Sequence, residues 1–300
     1  MSSLPKLLIT GASGYTGNHA CHHFSNAGFE VIAITRNRSL NTKVQTEHCD
    51  LTNKEDVANL IKKNKPDYLL HLAGQNHVGK SWIDPVSSLE ANFLSTLYLI
   101  DSLRYENPTC KIIVVGSALQ FDPKDTSAIT HPYSLSKTLQ VLLAQAWEVL
   151  YKLPIIIAKP SNLIGPGISN GVCSIFTKKI VEMEQKNTEK VIEITNPYAQ
   201  RDFIDVRDVI NAYEILLKKG TSGEIYDIAS GRSRSLKEVI DILQSLTDVE
   251  FKINSPIDIQ IEQEVKIKTL RISNLGWRPV IPFKSSLSDT LNFYRQNEKI

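Results

Sequence analysis

Apolar and polar positions follow two alternating rhythms through the first half of the chain. Lys6–Thr10 (KLLIT) is a short, nearly unbroken apolar run, and Gly17–Ala27 after it reads as a helix that ends at Gly28. The strand pattern returns at Glu30–Thr35 (EVIAIT), Tyr68–Ala73 (YLLHLA), Lys111–Gly116 (KIIVVG) and Pro154–Lys159 (PIIIAK). Between these runs Lys54–Asn64 reads as a helix stopped by Pro66, and Pro85–Glu106 and Pro132–Leu153 as two long ones. Strands that are apolar throughout are buried on both faces, which in a strand–helix alternation means a parallel sheet covered by helices. Right-handed crossovers then give an α/β, doubly wound, Rossmann-type fold.

After Pro160 the rhythm changes to polar, glycine-containing loops such as Ser161–Val172 and to shorter elements. The pattern predicts a Rossmann-type domain over residues 1–160 and a smaller α/β region over 161–300. Parts of the latter, such as Glu224–Ala229 (EIYDIA), are placed to rejoin the main sheet.

Composition narrows the class rather than the chemistry. Apolar residues are 42%, charged residues 22% and net charge +2, so nothing global points to nucleic acid or a membrane surface as partner. Apolar runs such as Ile155–Ala158 are strand-length, and Leu4–Pro5–Lys6 leads straight into a strand instead of a leader peptide. Cys21, Cys49, Cys110 and Cys173 are scattered with no CxxC pair, which argues against a metal site or a disulfide framework. A reduced, cytoplasmic protein is the expectation.

The first strand runs into TGASGYTG, with Gly11, Gly14 and Gly17 spaced by three. At the first strand-to-helix turn of a parallel sheet, glycines let backbone approach a pyrophosphate, and the helix N-terminus favours its charge. The loop therefore offers Gly11, Ser13, Gly14, Tyr15, Thr16 and Gly17 to a dinucleotide. The second strand ends Thr35–Arg36–Asn37–Arg38, without the carboxylate that would hold an adenosine ribose 2′-hydroxyl. A guanidinium there would hold a 2′-phosphate, so Arg36 favours NADP(H) over NAD(H).

HPYSLSK places Tyr133 and Lys137 one turn apart on one helical face. An ammonium beside a phenol stabilises phenolate and lowers its pKa from about 10, making tyrosine a proton donor or acceptor at neutral pH. Ser117 follows the fourth strand, where its hydroxyl can face the crevice at the carboxyl edge of the sheet.

Together, the GxxGxxG loop and the set Ser117, Tyr133, Lys137, in the usual order and roughly the usual spacing, resemble the extended short-chain dehydrogenase/reductase family of nucleotide-sugar epimerases, dehydratases and reductases. Further stretches resemble its signatures from about Lys6 to about Tyr294. They are His71–Leu72–Ala73–Gly74, Asn92 in EANFLSTLYL, KPSNLIGPG from Lys159, RDFIDVRDV from Arg201 and LGWRP from Leu275. The resemblance implies that Ser117, Tyr133 and Lys137 are catalytic, with hydride transfer at a sugar alcohol or ketone. It implies cofactor contacts from Asp50 and Leu51, from Leu72, Ala73 and Gly74, and from Tyr133 and Lys137 themselves. It further implies a nucleotide-linked sugar held by Asn162, Arg201, His77 and Ser81, with Arg201 on the pyrophosphate and Asn162 on the phosphates. His71 is expected to be packed and hydrogen-bonded.

Dehydratases of the family carry an acidic residue two positions after the triad Ser/Thr. Here that position is Leu119, and Phe121–Asp122 replaces a usual Tyr-Gly, which argues against 4,6-dehydration. VGKSW (Val78–Trp82), SNLIGPG and RDFIDVRDVINAY resemble reductases of GDP-4-keto-6-deoxymannose. The expectation is an NADPH-dependent reductase of a nucleotide-linked 4-keto-6-deoxyhexose at C4, with the nucleotide base open. Its alternatives are an NAD(P)-dependent 4-epimerase and, further off, a non-catalytic cofactor-binding protein. Leu89, Phe93, Leu97 and Tyr98 on one long helix, with Leu139, Leu142, Leu143 and Trp147 on the other, suggest a homodimer through a four-helix interface.

Overall fold

A computed structural model describes residues 4–37, 44–185, 188–256 and 261–297. Arg38, quoted above beside Arg36, lies outside the described residues. The chain divides into two compact units, the first comprising Met1–Pro160, Ile210–Tyr226 and Asn274–Trp277, and the second Ser161–Val209, Asp227–Ser273 and Arg278–Ile300.

In chain order the first stretch forms β1 (Lys6–Thr10), α1 (Tyr15–Asn26), β2 (Glu30–Thr35), β3 (Gln45–His48), α2 (Lys54–Asn64) and β4 (Tyr68–His71). Then come α3 (Val78–Ile83), α4 (Pro85–Leu89), a π-helical turn at Glu90–Leu94, α5 (Ser95–Glu106) and β5 (Lys111–Val115). A 3₁₀ turn at Thr126–Ala128 precedes α6 (Pro132–Tyr151) and β6 (Ile155–Pro160). The remainder forms β7 (Asn162–Ile164), α7 (Val172–Gln185), β8 (Val191–Glu193), β9 (Gln200–Asp205), α8 (Val206–Lys219) and β10 (Ile225–Ile228). It closes with β11 (Ser233–Ser235), α9 (Leu236–Gln244), β12 (Lys252–Asn254), α10 (Leu270–Asn274) and α11 (Phe283–Gln296).

The central sheet has seven strands in the order β10-β6-β5-β4-β1-β2-β3, and the pairs from β3 through β6 are parallel. The order reverses between β1 and β4, whose carboxyl ends are the ligand-binding crevice of such a sheet. Leu7, Leu8 and Ile9 of β1 are wholly buried, and Leu8 sits between Ile32 of β2 and Leu69 of β4. Each such side chain contributes about 1.5–3 kcal/mol on burial, which fixes the strand's place at the centre. Glu224–Ala229 was expected to rejoin the main sheet, and β10 is its edge strand. In the second unit β11-β9-β7 and β12-β8 form two small sheets around a core that includes Phe176, Ile180, Phe203, Val239 and Leu291.

Differences from the sequence pattern are local. β3 (QTEH) has no apolar run to announce it and pairs only at the edge, with Ile32 opposite Gln45. The long helix expected over Pro85–Glu106 contains the π turn, one of whose residues is Asn92. α3 was not expected as a helix; His77 caps it by accepting from the Lys80 N–H.

Candidate active site

The glycine loop leaves β1 at Thr10. Gly11 has φ +68°, and a Cβ there would lie 2.8 Å from the Ala73 nitrogen and 2.9 Å from its Cα. Only glycine fits both the left-handed backbone and that approach. Gly17, inside α1, presses its Cα against the loop: a Cβ would fall 2.2 Å from the Gly11 carbonyl oxygen. Gly14 caps α1 without a side-chain bond, its N–H donates to the Gly11 carbonyl at 2.9 Å, and the first turn carries no acidic residue. The helix start thus presents partial positive charge with no carboxylate of its own to neutralise it. Ser13, Tyr15 and Thr16 are half-buried along the loop, as are Leu72 and Ala73, with exposed Gly74 behind them. The Ala73 N–H donates to the Thr10 hydroxyl at 3.2 Å, which ties the ends of β1 and β4 together. This cradle fits a dinucleotide pyrophosphate.

Arg36 is exposed just beyond β2. Asp50, also exposed, accepts from the Thr52 N–H at 3.0 Å and hydroxyl at 2.7 Å. Those bonds, and the Arg36 charge nearby, hold its carboxyl below the usual range. Leu51 packs against the main core.

α6 carries the phenol and the lysine. His131 caps it, its Nδ1 accepting from the Ser134 N–H at 2.9 Å, and Pro132 opens its first turn. The Tyr133 N–H, a donor without an intrahelical partner, donates to the Ser81 hydroxyl at 3.1 Å. Tyr133 and Lys137 are both 7% exposed. The Ser117 hydroxyl accepts from the Leu119 N–H at 3.1 Å, and its nearness to the Tyr133 phenol favours the phenolate. The structure thus sets Ser117 near Tyr133, with Lys137 one turn along α6.

The expected lowering of the phenol pKa by Lys137 is not what the geometry gives. Burial raises the Tyr133 pKa, and the nearby Ser117 hydroxyl offsets part of that rise. Lys137 Nζ donates instead to the Val115 carbonyl at 2.7 Å and to Gln140 Oε1, and burial lowers its pKa to about 7.

Around these groups lies a wholly buried polar network. His71 Nδ1 faces the Thr10 hydroxyl at 2.7 Å and Nε2 the Thr96 hydroxyl at 2.8 Å. Burial, then the Lys137 charge, lowers the His71 pKa to about 3, so the ring is neutral, packed and bonded as expected. Asn92 accepts from the Gln75 N–H at 2.8 Å and donates to the Gln75 carbonyl at 2.9 Å and the Ser136 hydroxyl at 2.8 Å. Asn92 thereby links the segment after β4 to α6.

Ser81 needs correction as a substrate contact. It is fully buried, and its hydroxyl donates to the Val78 carbonyl at 2.7 Å while accepting from Tyr133. It seats the first turn of α6. His77 is exposed, with its ring used as the cap of α3. Ser81 and Gln140 are the contributors that residue types alone did not single out for these roles. For Gln140 the signal was its spacing of three from Lys137 on one helix.

Asn162 and Arg201 belong to the second unit. Asn162 donates to the Asp202 carbonyl at 2.9 Å. Arg201 donates to Glu262 at 2.7 Å and to the Gln200 carbonyl at 2.6 Å, so a carboxylate now occupies the fork expected to grip phosphate. The acids of the RDFIDVRDV stretch serve structure. Asp202 accepts from the Ser161 hydroxyl and from Ser230 and Arg232, Asp205 from Arg207 and Ser286, and Asp208 from the Val280 and Ile281 N–H groups. A cavity of about 270 Å³ in this unit is lined by residues including Phe203, Asp208, Arg232, Arg234 and Phe283, none of them predicted site residues. Among the described residues no His/Cys/Asp/Glu group is placed to hold a metal, and no helix is long and apolar enough to cross a membrane.

Comparison with known proteins matches residues 7–229 to the NAD dependent epimerase/dehydratase family. The GDP-6-deoxy-D-mannose reductase of Pseudomonas aeruginosa is 27% identical over 96% of both chains. The dTDP-D-glucose 4,6-dehydratase of Bos taurus is 27% identical over 97% of this chain and 89% of its own. The solved structure of RMD from Pseudomonas aeruginosa complexed with NADPH superposes with a TM-score of 0.84 at 26% identity, over 98% of this chain and 99% of that one.

Proposed function

We propose that the chain, which belongs to the NAD dependent epimerase/dehydratase family and is an NAD(P)-dependent nucleotide-sugar-modifying enzyme of the extended short-chain dehydrogenase/reductase type, reduces a nucleotide-linked 4-keto-6-deoxyhexose at C4 with NADPH as reductant. The observation that carries this reading is Leu119, two residues after Ser117. It is 49% exposed and gives only its N–H to the Ser117 hydroxyl. An apolar side chain there cannot move the proton that 4,6-dehydration requires, whereas reduction needs only the groups the site retains.

When bound, the reduced nicotinamide supplies a hydride. The glycine cradle of Gly11, Gly14 and Gly17 would hold its pyrophosphate, and Arg36 the 2′-phosphate. Tyr133 donates its phenol proton to the C4 oxygen as negative charge develops there; a raised pKa keeps that proton in place until it is needed. Ser117 hydrogen-bonds the same oxygen and orients the phenol. Lys137 would hold the nicotinamide ribose with the hydrogen of its ammonium that Val115 and Gln140 leave free. Arg201 and Asn162 bind the substrate's phosphates, with Arg201 exchanging Glu262 for the diphosphate.

The test is to mix the protein with NADPH and a panel of GDP-, UDP-, dTDP- and CDP-linked 4-keto-6-deoxy sugars and follow nicotinamide absorbance. Stoichiometric oxidation with one of them is the expected result and names the substrate. Interconversion of C4 epimers of the 4-hydroxy donors without net oxidation overturns the reductase and installs the 4-epimerase.

We further propose a homodimer through α5 and α6. Tyr105 of α5 and Leu142, Val149, Leu150 and Tyr151 of α6 are exposed. Leu143 is buried, and Phe93, Leu97, Tyr98 and Trp147 pack on the chain's own core, so the seam is shifted from the one first expected. Light scattering that gives the mass of a single chain removes this assembly.

A further inference from the structure

Lys137 is buried, and a buried ammonium requires acceptors. Two are present: the Val115 carbonyl on β5 and Gln140 Oε1, three residues along α6. The carbonyl is fixed by the sheet. An amide is not, because the two ends of its side chain are nearly the same size and either can face a neighbour. The surrounding hydrogen bonds settle which does.

The Thr96 hydroxyl donates its one hydrogen to the Asn92 carbonyl at 2.7 Å. It therefore only accepts from its other neighbours. Gln140 Nε2 donates to it at 2.8 Å, which turns Oε1 toward Lys137. His71 Nε2 likewise donates to Thr96 at 2.8 Å, which leaves Nδ1 to accept from the Thr10 hydroxyl at 2.7 Å. Thr10, its hydrogen spent, accepts the Ala73 N–H at 3.2 Å. The donations run from Thr10 through His71 and from Lys137 through Gln140, and both runs converge on Thr96, which gives its own hydrogen to the Asn92 carbonyl. The amide reversed would set two donors, Nε2 and the ammonium, face to face.

We propose that Gln140 is a positioning residue for Lys137, its amide locked by Thr96 and His71 so that Oε1 always receives one proton of the ammonium. With the Val115 carbonyl holding a second proton, the direction of the third is fixed as well, toward whatever hydroxyl the site binds. The proposal rests on the assignment of Lys137 to the active site for its meaning, but not for its geometry. Other titratable groups beside Lys137 are Tyr133, one turn away on α6, and neutral His71 on β4. Gln140 therefore helps to keep Lys137 charged against the burial that lowers its pKa.

The test is a titration of the whole chain without cofactor or substrate. The lysine ¹³Cε resonance of Lys137, assigned by its loss in Lys137→Met, is followed against pH. Replacing a hydrogen bond to a charged group shifts such a midpoint by about one pH unit or more, so Gln140→Leu should titrate that much lower than the parent protein. Gln140→Glu, which keeps an acceptor and adds a charge, should titrate higher. Thr96→Val, which frees the amide to turn, should move the midpoint down by less than Gln140→Leu does. If Gln140→Leu fails to fold by circular dichroism, the Gln140→Glu and Thr96→Val shifts decide. Unchanged midpoints in folded variants overturn the proposal. NADPH oxidation is read separately on the same variants: failure of every sugar in the panel sinks the proposed reaction and leaves the titration result intact.

Discussion

The start of α6 and the Arg201 end of the second unit handle polar groups in opposite ways. At α6 the charge is buried and each polar group is matched: Tyr133 to Ser117 and Ser81, Lys137 to Val115 and Gln140, Gln140 to Thr96. Around Arg201 the charges are half-exposed and pair with each other: the Arg201 and Glu262 side chains are 41% and 39% exposed. A buried network keeps one geometry because losing a partner is costly. An exposed pair is worth about 0–1 kcal/mol, so it can be traded for a ligand. Chemistry calls for the first arrangement and recognition for the second.

The largest effect that can break this contrast is Tyr133→Phe. It removes the proton donor while keeping the ring that packs on His131. Turnover should fall about 10²–10⁴-fold with little change in melting temperature, read by NADPH oxidation and calorimetry. Retained turnover would remove Tyr133 from the chemistry.

Gly11→Ala comes next. Its Cβ meets backbone atoms of Ala73 at a left-handed φ, so about 1–3 kcal/mol of stability should be lost together with NADPH binding. Denaturant melts and fluorescence titration read the two losses separately. Arg36→Ala should then weaken NADPH binding while leaving NADH binding nearly unchanged, and equal losses would show that Arg36 contacts no 2′-phosphate.

At the exposed end the effects should be smaller and confined to binding. Arg201→Ala should raise the substrate KM with kcat nearly constant. Glu262→Gln should lower KM by relieving the competition for Arg201, with stability changed by less than about 1 kcal/mol.

The pH dependence sharpens the buried half of the comparison. Lys137 titrates at about 7 in the folded chain against an ordinary 10.5. Between those values the unfolded chain binds more protons, so Lys137 makes stability rise with pH through that window. Lys137→Met should flatten this slope in melts recorded from pH 7 to 10, and an unaltered slope would mean that burial does not lower the Lys137 pKa.

The residue pattern already carried the central strands of the sheet. KLLIT, EVIAIT and KIIVVG are apolar enough to be strands in any environment that buries both faces, and they are β1, β2 and β5. Gly11 and Gly17 are legible because no other residue fits a loop that tight. Ser81 was legible as a polar residue near the site but not in its role, because its partner, Tyr133, lies 52 residues away. β3 was missed because its four residues are polar and only an edge partner makes them a strand.

Local sequence therefore determined the central strands, the long helices and the chemical types available to the site, since period and glycine spacing act within a few residues. Tertiary structure decided the charge states and directions of those groups. Burial raises the Tyr133 pKa and lowers that of Lys137, and hydrogen bonds from distant elements orient Gln140. Desolvation and hydrogen-bond direction depend on which segments meet, which no single stretch of sequence contains.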